Sequence, residues 1–77
     1  MKRKITLDCL AVYRIEVQGR LDRQWSAHMG LEIAIEASGG QTTTLTAEVD
    51  QAALHGLLRQ LYTTGLPLVS LQCIEVF

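Results

Sequence analysis

The sequence predicts an α+β fold in the order β-(short α)-β-β-α-β, a four-stranded sheet with one face covered by a long helix. Three observations carry this. Residues 5–18 alternate, with Ile5, Leu7, Cys9, Ala11, Tyr13, Ile15 and Val17 apolar and Thr6, Asp8, Arg14, Glu16 and Gln18 between them, Leu10 and Val12 being the exceptions; this is the period of a half-buried strand. Residues 31–49 alternate twice around a Ser-Gly-Gly-Gln turn. Residues 50–64 switch to helical spacing, and the apolar run from Leu68 returns to a strand.

Taken in order, the first strand ends or bends at Gly19, and residues 21–30 read as a short helix with Asp22 as N-cap, Trp25 and Met29 four apart, and Gly30 as the stop. Trp25 is expected as a core plug. Leu31, Ile33 and Ile35 form the inward set of a second strand, and Leu45, Ala47 and Val49 that of a third, so the two make a hairpin. The Ser-Gly-Gly turn joins two strands, whereas a phosphate loop runs from a strand into a helix.

The long helix is the clearest element. Asp50 is a favoured N-cap, Val49 and Leu54 are placed as a hydrophobic staple, and Leu54, Leu57, Leu58 and Leu61 line one stripe. Gly65 suits a left-handed C-terminal cap, with Leu66 folding back on Leu61 and Pro67 preventing continuation. Gly56 in the helix interior costs about 1 kcal/mol relative to Ala, so another backbone is expected to approach it closely. His55 then borders the buried stripe. A last strand covers residues 68–77.

Two topologies compete for these elements. A crossover from the first strand to the second needs about a dozen residues or more, and the connection read from Leu21 to Gly30 offers about ten. That favours a meander of the first three strands; a ferredoxin-like split β-α-β arrangement is the alternative.

Composition bounds the function. The 77 residues form a single α+β domain, with residues 1–6 as a flexible or partner-covering arm, and 48% of the chain is hydrophobic. The net charge of −1 argues against nucleic-acid binding, which needs a basic field. No stretch approaches the roughly 20 apolar residues that span a bilayer, and no secretory signal is expected. Cys9 and Cys73 fit no disulfide framework or metal-ligand spacing and read as buried thiols in a cytoplasmic protein. No cofactor, metal site or catalytic constellation is expected. Trp25, His28 and His55 are the candidate ligand contacts, and no nucleophile or carboxylate partner for either histidine is identifiable.

The segment DQAALHGLL, Asp50 to Leu58, followed by GLPLVSL, Gly65 to Leu71, resembles a group of small, uncharacterised bacterial proteins. The resemblance runs from about Tyr13 to Leu71 and implies no activity. Function therefore rests on surfaces. Leu10 and Val12 in the first strand and Ile74 and Val76 in the last are expected on the face that elsewhere carries Arg14, Glu16, Ser70 and Gln72. Those four are the candidate oligomer interface, unless the N-terminal arm folds back over them. The leading expectation is a non-catalytic homo-oligomeric interaction or accessory protein; the alternative is a small-ligand-binding regulatory domain of the ACT type, by analogy of fold.

Overall fold

The computed structural model describes residues 5–21, 24–25, 33–38 and 41–77. Four strands, β1 (Ala11–Gln18), β2 (Ile33–Ser38), β3 (Thr42–Val49) and β4 (Leu68–Val76), and one helix, α1 (Gln51–Thr64), follow one another as β1-β2-β3-α1-β4. All pairings are antiparallel and the sheet order is β2-β3-β1-β4.

Alternation in β1 and β3 creates one covered face. Ala11, Tyr13, Ile15 and Val17 are buried, and the register sets them opposite Val49, Ala47, Leu45 and Thr43, which are buried too. Ile33 and Ile35 of β2 lie opposite Ala47 and Leu45 and pack against this core. Leu54, Leu57 and Leu61 of α1 complete it. The other face, bearing Arg14, Glu16, Thr44 and Thr46, is open, as antiparallel sheets allow.

The helix ends where its caps dictate. Asp50 accepts from the Ala53 amide at 2.9 Å, and Val49 and Leu54 are both buried as a staple requires. At the other end Gly65 adopts φ 83° and donates its amide to the Tyr62 carbonyl at 3.1 Å. Thr63 and Thr64 hydroxyls donate to the carbonyls of Gln60 and Leu61, the latter one of the four acceptors that a helix terminus leaves open.

The structure corrects the expected meander. β1 pairs with β3 rather than β2, which is the strand order of the split β-α-β alternative. The reason is length: β1 stops at Gln18 and β2 starts at Ile33, so the connection is longer than the alternating residues suggest and meets the dozen or so that a crossover needs. Of the short helix expected over 21–30, Leu21, Gln24 and Trp25 alone are described. Trp25 is helical, half-buried and packed against the core; His28, Met29 and the caps at Asp22 and Gly30 lie outside the described residues.

The first strand is also shorter than its alternation. Residues 6–9 form a turn, with the Cys9 amide donating to the Thr6 carbonyl and the Thr6 hydroxyl to Asp8. Ala11 already faces the final residue of each neighbour, Val49 and Val76, so residues before it have no strand to pair with. Of the proposed arm, residues 1–4 lie outside the described residues, and Ile5 and Thr6 are exposed.

Candidate functional site at the free edge of the sheet

Three elements define the edge. The Pro67 carbonyl accepts from the Gln18 amide at 2.8 Å, which starts β4 beside the end of β1, and the Phe77 amide donates to the Leu10 carbonyl at 3.0 Å, which closes the other end. Between these ties β4 runs nine residues as one of the two edge strands, the six-residue β2 being the other. A helix about 10 Å across covers roughly two strands spaced 4.8 Å apart. With α1 contacting β3 and its buried leucines in one core with β1 and β3, most of β4 falls outside that footprint.

Two irregularities set which way its side chains point. The register slips between Val12 and Tyr13 and again between Glu16 and Val17, leaving Ile74 and Val69 as the extra residues on β4. Each bulge inverts the parity of everything beyond it. In consequence Leu68, Leu71, Cys73 and Val76, opposite Val17, Ile15, Tyr13 and Ala11, share the covered side of the sheet, and Ser70, Gln72 and Glu75 take the open side. The Ser70 hydroxyl donates to Glu16 Oε1 at 3.4 Å there.

This rearranges the interface expected from alternation. Val76 does not join Val12 on the open face; it packs, half-buried, against the core, because the Ile74 bulge shifts it by one position. Val12 is half-buried on the open side between Glu48 and Glu75, and Leu10 and Ile74 are exposed. Exposed apolar groups concentrate on β4 itself: Leu68 and Val69 are 52% exposed, Leu71 41% and Ile74 47%, with Phe77 just beyond. The thiols differ from expectation as well. Cys73 is exposed on the uncovered edge, and Cys9 is half-buried with its thiol against the Thr6 carbonyl.

Between the end of α1 and the start of β4 lies an apolar groove of about 210 Å³, lined by Leu58, Leu61, Tyr62, Leu66, Pro67 and Leu68. Tyr62, at its rim, is 83% exposed. The groove continues the apolar side of β4, since Leu68 belongs to both.

The histidine signals resolve less. His55 is exposed, with Nε2 3.3 Å from Gln51 Oε1, and Gln51 Nε2 donates to the buried Tyr13 hydroxyl at 2.6 Å. The chain ties the first turn of α1 to β1, a role for Gln51 that no spacing rule signals. His55 lies well away from Trp25 in sequence, and while Trp25 packs against the core, His55 is exposed. Nothing described comes within 4 Å of a Cβ built on Gly56, so the close backbone approach expected there is not made by the described residues. No three His, Cys, Asp or Glu side chains converge as a metal site among the described residues, and no described helix is long and apolar enough to cross a membrane.

Fold and surface thus define a small α+β domain with a helix on one sheet face and an apolar outer strand. The chain belongs to a family of domains of unknown function, DUF8691, whose model matches residues 12–72. No curated protein and no solved structure matches it.

Proposed function

We propose that this protein is a non-catalytic interaction module that assembles with itself, and that β4 is the edge through which it does so. One observation carries the reading: a nine-residue outer strand exposes Leu68, Val69, Leu71 and Ile74 and bears a single charge, Glu75. Long apolar edges are normally blunted by lysine, proline, inward charges or bulges, because an unpaired row of amides and carbonyls templates another strand. β4 has no lysine or proline, and its two bulges leave residues 70–73 regular between them.

The open face is the poorer candidate for self-association. The register places Glu16, Glu36, Glu48 and Glu75 on it against Arg14, and stacking two such faces sets like charges together. The ligand-binding alternative draws little from the groove: small-molecule sites usually enclose about 300 Å³ or more with convergent polar groups, and this one is smaller and apolar in its lining. Free thiols, one of them exposed, suit the reducing cytoplasm.

Sedimentation equilibrium tests the reading. Wild type is expected at twice its 8.5 kDa chain mass at micromolar concentration. Leu71→Glu places a charge where the isolated chain is exposed, so it is expected to give a folded protein at the single-chain mass. A wild type that stays at the single-chain mass at high micromolar concentration overturns the proposal.

A further inference from the structure

We infer that two copies join β4 to β4 antiparallel, with the two-fold axis passing through Gln72, so that the sheet continues from one protomer into its partner. This rests on the self-association proposed above and adds its geometry. In an antiparallel pair, residues directly opposite share a face. A two-fold axis perpendicular to the sheet therefore keeps covered side with covered side, and the residues on that side must themselves be symmetric about the axis.

The bulges supply such a pattern. Leu68, Leu71, Cys73 and Val76 on the covered side are spaced by three, two and three residues, which is symmetric about Gln72 and about no other residue. With the axis there, Leu71 faces the partner's Cys73 and Leu68 faces the partner's Val76, and each contact occurs twice. An axis at Leu71 would instead set Leu68 opposite the partner's Ile74 and Cys73 opposite the partner's Val69, so neither meets another residue of the covered set. An axis at Cys73 would set Leu71 opposite the partner's Glu75, which belongs to the open side.

Regularity and charge agree with this choice. The stretch 70–73 is the part of β4 that pairs without a slip between the two bulges, and Gln72 lies in it. Glu75, the one charge on the strand, faces the partner's Val69, and the two Glu75 carboxylates stand about 20 Å apart at 3.4 Å per residue, beyond a Debye length of about 10 Å. A parallel pairing in register would set them side by side. The same axis brings the partner's Val76 against Leu68, the wall of the groove that also holds Tyr62 and Leu66, so the groove is closed by the end of the partner's strand.

Cysteine scanning reads the axis directly. Gln72→Cys in a Cys73→Ser background faces its own copy with Cα atoms about 4.5–5.5 Å apart, within the roughly 4.4–6.8 Å that a disulfide spans. Mild oxidation with oxidised glutathione is expected to convert most of this variant to a covalent dimer on a non-reducing gel. Ser70→Cys and Glu75→Cys in the same background, whose copies stand about 14 and 20 Å apart, are expected to remain uncrosslinked while sedimenting as dimers. A dimer in which Gln72→Cys fails to crosslink, or Ser70→Cys crosslinks more readily, overturns the axis and leaves self-association standing. A protein that sediments as a monomer overturns both.

Discussion

Thr43 is the one buried polar residue among those described, and it holds the sheet to the chain that leaves it. Its hydroxyl donates to the Gly19 carbonyl at 2.7 Å and accepts from the Leu21 amide at 3.2 Å. Thr43→Val keeps the shape and strands both backbone groups, which should cost about 1–3 kcal/mol in urea denaturation; a neutral result would mean that water or another group replaces the hydroxyl. Gly19 beside it has φ 103°, and a Cβ there would lie 2.9 Å from Leu66 Cδ2. The end of the Leu66 side chain can shift, so Gly19→Ala is expected to lower the denaturation midpoint chiefly through backbone strain at this φ. The parity of Thr43 was readable from Leu45, Ala47 and Val49. Its partners were not, because they depend on how the chain turns at Gly19, and the neighbouring threonines have the same strand propensity.

At the scale of elements, what is local in sequence was legible and what depends on pairing was not. The helix carries its own start and stop at Asp50 and Gly65, and both caps form as the sequence indicates. Asp50→Ala should cost about 1 kcal/mol and Leu57→Ala, at a fully buried position, about 2–5 kcal/mol. Leu58, in contrast, is half-buried in the groove wall, so Leu58→Ala should cost clearly less than Leu57→Ala in a chain kept monomeric by Leu71→Glu. Equal costs in denaturation curves would show that the groove is more deeply packed than its exposure indicates. β4 illustrates the opposite case. No glycine marks its bulges at Val69 and Ile74, so a strict count of alternation carried Val76 to the wrong side and gathered the candidate interface on the open face. β1 misled in a simpler way, since Ile5 to Cys9 continue its alternation where no strand is there to meet them.

For the whole molecule, the sheet order β2-β3-β1-β4 explains where function can reside. It buries β1 between β3 and β4 and sends β4 to one rim, where α1 borders its start at Leu68, so an apolar strand is left at that edge. The adjacency of first and last strands was legible from their lengths; the crossover was not, because a connection counted from Leu21 to Gly30 left out Gly19 and Arg20, and β2 starts at Ile33 rather than Leu31. If this edge is covered by its own copy, as proposed, its outward amides are shielded, and amide exchange reads that. In antiparallel pairing alternate residues of an edge strand point their amides outward. At a concentration where wild type sediments as a dimer, the outward amides among residues 70–73 are predicted to exchange far more slowly than in Leu71→Glu. Outward amides that exchange equally fast in the two proteins would contradict it.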